Sequence, residues 1–325
     1  MTQAALSAHI VQDLKRVFAG RIQEGVSLAP YTSSGVGGAA DFLLVVRSSD
    51  ELAEAAKALW AMQAPFRILG GGSNVLVADR GMREVVILNR ARDVRLEEGA
   101  HGLRMHAESG AALNVVARRA AGRGWTGLEW AVGIPGTVGG AVVGNAGAHG
   151  SDVAGCLDMA VILQRNGAME RWAPERLGFA YRDSWLKRNP GQAVVLAAEF
   201  ALQPSTPEAV EARMKEILAE RRQRQPAGAS WGSIFKNPEA QSAGRLIDQA
   251  GLKGLRRGKI EISPQHGNFL INLGGGKATD AWALIQMMKR EVASKSGVDL
   301  QLEIELVGDW EEGHGTEELG TGGRH

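Results

Sequence analysis

The sequence predicts a mixed α+β protein of more than one domain, and three observations predict it. The chain has 325 residues, enough for two or three domains with buried cores. Short runs rich in Val, Ile and Leu alternate with segments of helical period. Two glycine-rich stretches, "GGGSN" at residues 70–74 and "GIPGTVGGAVVGNAGAHG" at 133–150, interrupt this alternation. Ordered glycines at that density imply close backbone approach, and a turn whose amides close around a phosphate is the reading that fits. A flexible linker fits poorly, because Ile68, Leu69, Val75, Leu76 and Val77 flank the first loop with apolar residues.

Taken in order, residues 7–19 carry an amphipathic helical pattern in Ile10, Leu14 and Val17. "DFLLVVR", residues 41–47, reads as a strand. Ser48 and Glu51 have capping-box spacing ahead of a helix with Leu52, Ala56 and Leu59 on one face. The strands "FRIL", "VLVA" and "EVVILN" follow, alternating with turns around this helix. A second helix is predicted from Ala112 to about Gly122. "AVILQRNGAMERW" reads as a hairpin with Asn166 and Gly167 in a primed turn, and residues 193–202 as a further strand. The next helix has Pro207 in its first turn and Val210, Met214, Ile217 and Leu218 at helical spacing. Its basic end, Arg221, Arg222 and Arg224, reads as a helix C-terminus rather than a nucleic-acid patch. Residues 1–30 are expected as an N-terminal helical segment, Pro226 and the Gly/Ala residues after it mark a boundary into a third unit, residues 226–308, and the tail, 309–325, is expected to be disordered.

Composition narrows the partners. A formal net charge of +1 gives no reason to invoke nucleic acid or an anionic membrane, so a small molecule is expected. Cys156 is the sole cysteine, which excludes an intrachain disulfide and any CxxC metal pair, and no metal site is expected. Polar residues interrupt every apolar run near the N-terminus, and no segment reaches the roughly 20 apolar residues of a membrane span. A reducing, cytoplasmic setting is expected. The GxGxxG dinucleotide fingerprint does not occur in a strand-helix frame, and a Walker A sequence is absent. Two separated glycine loops suit one long ligand touching the chain twice, such as a dinucleotide.

The segments "YTSSGVGGAAD", "ILGGGSNVLVAD", "GIPGTVGGAVVGNAGAHG", "YRDSWLK", "GSIFKNP", "AGRLIDQAGLKG", "SPQHGNFLIN" and "LEIELVG" together resemble the UDP-N-acetylenolpyruvoylglucosamine reductase family, from about residue 30 to 308. The resemblance implies an α+β protein: two α/β units forming an FAD-binding region of the vanillyl-alcohol-oxidase (PCMH) type over residues 31–204, then a linker helix and a C-terminal α+β substrate-binding domain over 205–308. It implies NADPH as hydride-donating cosubstrate and a UDP-sugar enolpyruvyl ether as substrate. The short segment after "YRDSWLK" resembles the second type of the family, which lacks an additional tyrosine-bearing loop. No residue here reads the additional phosphate of NADPH.

By the same resemblance, Gly70, Gly71, Gly72, Ser73, Asn74, Ile134, Pro135, Gly136, Thr137 and Gly140 are expected at FAD. Arg182 is implied as the group that stabilises an enolate, a task suited to a planar, permanently charged fork. Ser233 is implied as the proton donor, with Ser230 and Ser184 as neighbouring serines that cap or support. Glu305 is implied as the family glutamate; beside a substrate carboxylate it must be protonated, with a raised pKa, or act through Arg182. Glu303 is its obvious misassignment. Lys236 and Asn237 are expected to reach the UDP-sugar, and His266 is given no chemistry.

Overall fold

In the strand Ala39–Val46 and its parallel neighbour Met82–Asn89, Leu43, Val86 and Leu88 enter one buried cluster while Phe42, Leu44, Val46, Val85 and Ile87 enter another. A period of two thus sends apolar side chains to both faces, as a sheet covered on both sides requires. The computed structural model, which describes residues 3–99 and 102–310, places these strands at the centre of a four-stranded sheet. Ile22–Ser27 pairs antiparallel on one side and Phe66–Leu69 parallel on the other. The helix Ser49–Ala61 connects them and buries Leu52, Ala56 and Leu59 against the sheet. Ser48 Oγ caps it, accepting from Glu51 N at 3.1 Å. The Glu51 carboxylate accepts from Arg47 N at 2.8 Å, one residue short of the reciprocal bond of a capping box.

A six-stranded antiparallel sheet follows, with Ala193–Pro204 near its centre, flanked by Leu157–Gln164 and Gly102–Glu108. The helices Leu113–Ala121, Val138–Gly144 and Pro207–Arg224 supply Val116, Val142 and Ile217 to the cluster containing Phe200 and Ile162. The third assembly is a four-stranded sheet with Ser230–Ser233 at one edge, covered by Ala243–Gln249 and Ala278–Ser296.

The C-terminal segment then returns to the first glycine loop. Glu305–Val307 pairs parallel with Val75–Val77. Asp79, just beyond that strand, accepts from Ala278 N at 2.7 Å and Thr279 N at 2.9 Å, so a carboxylate nearly 200 residues away in sequence caps the helix whose own N-cap, Lys277, makes no side-chain bond.

Four expectations need correction. "VLVA" forms a strand, but it joins Glu305–Val307 rather than the sheet around the first helix. The hairpin forms, yet within its turn only Gly167 has positive φ, +87°, so the connection is a three-residue loop with a left-handed glycine and not a primed turn. Residues 1–30 include the strand Ile22–Ser27 besides the helix Ala8–Val17. Asp309 and Trp310, at the start of the expected tail, are buried; residues 311–325 lie outside the described residues. Among the described residues, no helix is long and apolar enough to cross a membrane, and no cluster of His, Cys, Asp and Glu could hold a metal.

Candidate active site

Where the three assemblies meet, they enclose a cavity of about 720 Å³. Its lining explains the two glycine stretches. A Cβ on Gly70 would lie 2.3 Å from Thr137 Oγ1, and one on Gly71 would lie 3.0 Å from Gly136 Cα, so the first loop packs on the Thr137 side chain and on the backbone at Gly136. Ser73 Oγ donates to Pro135 O at 3.2 Å, which fixes the first loop against the second, and Arg90 Nη1, from just after the strand Met82–Asn89, donates to Gly70 O at 3.0 Å. All ten residues expected at FAD line this cavity. Backbone stripped of Cβ atoms along one wall is what a long phosphate-bearing cofactor needs to approach closely, so the residues present fit FAD. Asn74 does more than line the wall. Its Nδ2 donates to Glu303 O at 3.1 Å and its carbonyl accepts from Glu305 N at 2.9 Å, joining the loop to the segment that carries both glutamates.

Arg182 is in the left-handed region, φ +56°, a conformation that L residues other than glycine adopt at a cost and that concentrates at functional sites. Its guanidinium donates from Nε to Glu303 Oε1 at 2.8 Å, from Nη2 to Gly147 O at 2.6 Å, and from Nη1 to Asn145 O at 3.5 Å. Buried Asn145, itself at φ +42°, donates to Ala180 O at 3.0 Å and so holds the turn that presents Arg182. Ser184 caps the short helix Trp185–Arg188 and donates to Val143 O at 2.7 Å, a structural role. Lys187 from that helix reaches the Arg182 carbonyl at 3.2 Å and lines the cavity.

Ser233 lies just after a register irregularity in its edge strand, beside Gly232 at φ +72°. Such irregularities re-aim a side chain. Ser233 lines the cavity, and its hydroxyl has no hydrogen-bond partner among the described residues. Ser230 lines it too, with its carbonyl taken by Ser33 Oγ at 2.7 Å.

The glutamates differ from expectation. Both line the cavity, but the carboxylate on Arg182 is that of Glu303, 18% exposed, whereas Glu305, 39% exposed, faces Arg67 Nη1 at 3.6 Å. The route from Glu305 through Arg182 is therefore occupied by its neighbour. Lys236 and Asn237 do not line the cavity. Burial, reinforced by Lys187, lowers the Lys236 pKa, and Asn237 Oδ1 accepts from Ala243 N at 3.1 Å, leaving its amide NH2 as the group able to meet a ligand. His266, given no chemistry, has its pKa lowered by burial, packs edge-on against Phe269 and accepts from Asn268 N.

Of the charged residues that line the cavity, the sequence reading gives no ligand role to Lys187 or Arg221 and names Glu303 only as a misassignment for Glu305. Arg221 lies in the last turn of its helix, as expected, and turns back against Gly133, where burial lowers its pKa. No local signal distinguishes the inward arginine from Arg222 or Arg224, because Gly133, which admits it, lies in a segment distant in sequence.

A family model described as "FAD binding domain" matches residues 40–171, and one described as "UDP-N-acetylenolpyruvoylglucosamine reductase, C-terminal domain" matches residues 224–307. The UDP-N-acetylenolpyruvoylglucosamine reductase of Chloroflexus aggregans is 42% identical over 285 residues, covering 86% of this chain and 95% of that one. The protein of the same name from Rubrobacter xylanophilus is 44% identical over 287 residues, covering 87% and 94%. The crystal structure of the Thermus caldophilus UDP-N-acetylenolpyruvylglucosamine reductase superposes with a TM-score of 0.74 at 38% identity, over 88% of this chain and 98% of that one. With glycine loops, arginine, serine and paired glutamates gathered on one cavity, and with relatives matched over nearly their full length, this chain belongs to the UDP-N-acetylenolpyruvoylglucosamine reductase family.

Proposed function

We propose that this protein reduces UDP-N-acetyl-3-O-(1-carboxyvinyl)-glucosamine to UDP-N-acetylmuramate, a step of peptidoglycan precursor synthesis, with FAD as cofactor and NADPH as hydride donor. The observation that carries the reading is the shared cavity: the two glycine loops, Arg182, Ser233 and both glutamates all line it. FAD, when bound, would relay hydride from NADPH to the substrate. Gly70 to Asn74 and Ile134 to Thr137, with Gly140, would hold it.

Reduction of an enolpyruvyl ether adds hydride to the methylene carbon and a proton to the adjacent carbon. Charge develops on the carboxylate-bearing fragment between these events, so a fixed cation there lowers the barrier. Arg182 is that cation, held by three acceptors before substrate arrives. Ser233 supplies the proton; its unpartnered hydroxyl is free to point at the carbon, and a weak acid suffices because the carbanion is strongly basic. Lys187 at the wall and Lys236 near it offer cations to the diphosphate. Glu305, carried over as the third catalytic residue, stands at the cavity beside Arg67.

Anaerobic titration tests this. Visible flavin absorbance should bleach with NADPH and recover on adding the enolpyruvyl substrate. Bleaching without recovery would reject the substrate; absence of flavin after FAD reconstitution would reject the cofactor.

A further inference from the structure

Glu303 pairs with the arginine expected to meet the substrate carboxylate, and its backbone is fixed from two directions. Its N–H donates to Ile234 O at 2.8 Å, next to Ser233, and its carbonyl accepts from Asn74 at the end of the glycine loop. The following residue, Ile304, is buried, which locks the segment between the two. We propose that Glu303 is a positioning residue for the reduction: it sets the orientation of the Arg182 guanidinium so that the substrate carboxylate meets the N–H groups still free. The inference rests on the functional reading above.

A guanidinium has five N–H donors. In Arg182, Nε–H goes to Glu303, one Nη2–H to Gly147 O and one Nη1–H to Asn145 O, so one donor remains on each terminal nitrogen. Two donors on adjacent nitrogens match the two oxygens of a carboxylate. The carbonyls of Gly147 and Asn145 are backbone groups of the "NAGA" turn, so Glu303 supplies the one side-chain acceptor in the set. It also answers the local excess of cations, because Arg182, Lys187 and Lys236 cluster here while Asp183 pairs with Arg188. Glu305 cannot take over the task from its place beside Arg67.

A double-mutant cycle in the two half-reactions tests this. Glu303→Ala should leave NADPH-driven bleaching unchanged and slow reoxidation by the enolpyruvyl substrate about 100-fold, the loss expected for a misplaced reacting group. Glu303→Gln, which keeps an acceptor oxygen for Nε–H, should recover most of that rate. In an Arg182→Ala background, Glu303→Ala should cause no further slowing, because the residue acts through the arginine. Equal losses in both half-reactions, a Gln variant as slow as the Ala variant, or full additivity with Arg182→Ala would each overturn the proposal. Should Glu303→Ala fail to retain FAD, Glu303→Gln and Glu303→Asp carry the same cycle, with the shorter acid expected to be the slower. Wild-type enzyme that is not reoxidised overturns the functional reading and this inference together; reoxidation with an additive cycle overturns the inference alone.

Discussion

A Cβ on Gly133 would lie 2.5 Å from Cδ of Arg221, so the glycine is what admits this helix-terminal arginine to the cavity. The Arg221 guanidinium has no hydrogen-bond or ion-pair partner among the described residues, and burial lowers its pKa, yet it remains charged at neutral pH. A half-buried, unpaired cation is unfavourable until an anion meets it. The anionic cofactor proposed for this cavity would do so. Arg221→Ala is expected to weaken FAD retention by about 10- to 100-fold, the equivalent of one charge-assisted hydrogen bond. Flavin fluorescence released on dilution measures it, and Gly133→Ala should shift retention in the same direction by less.

Ser233→Ala separates chemistry from structure. The hydroxyl makes no hydrogen bond among the described residues, so its removal should leave the thermal midpoint within about a degree of wild type. Flavin reduction by NADPH should proceed as before, while reoxidation by substrate slows by about 10²- to 10⁴-fold, the usual range for a lost proton donor. Stopped-flow absorbance of each half-reaction decides; equal damage to both would remove the serine from its role.

What could be read in the sequence was local. Ser48 and the apolar stripe of Leu52, Ala56 and Leu59 lie within a dozen residues of one another, and the helix they announce is the helix that forms. The glycine loops were legible because repeated absence of Cβ atoms has few causes, and Gly70 and Gly71 indeed face the second loop. Ile22–Ser27 was not legible, because it is an edge strand whose side chains are mostly exposed and show no clean alternation. The pairing of Arg182 with Glu303 was hidden for another reason. It joins residues 121 apart and depends on the register of Glu305–Val307 against Val75–Val77, which no local pattern specifies.

Cys156 should be inert in the folded enzyme. Burial pushes its thiol up to about 12, with Asp152 adding to the effect, so roughly one molecule in 10⁴ carries a thiolate at pH 8. The folded-state value is raised above the unfolded one, so the stabilising contribution is complete below pH about 9 and is lost as pH rises toward 12. Ellman's reagent should react with the thiol only after denaturant is added, and Cys156→Ala should flatten the alkaline limb of the stability profile. Rapid labelling of native protein would contradict the burial.

Gly72 provides the most direct test of why the glycine run exists. Its φ is +60°, and an added Cβ would lie 2.2 Å from Tyr31 O and 2.7 Å from Thr32 Cα. Both obstacles are backbone, so no side chain can swing aside, and the loop itself must move. Its carbonyl also accepts from Ser33 N at 3.1 Å, which ties any shift to residues 31–33. Left-handed strain in a non-glycine residue costs about 1–3 kcal/mol before the clash is counted. Gly72→Ala is therefore expected to lower the thermal midpoint by several degrees and to reduce FAD occupancy after purification. Gly144→Ala is the control on the same cavity, because a Cβ there meets nothing within 4 Å. If Gly72→Ala keeps full occupancy and stability, close backbone packing is not what the first loop requires of its glycines. If it loses both while Gly144→Ala loses neither, the run at residues 70–72 is explained by contact between loops rather than by flexibility.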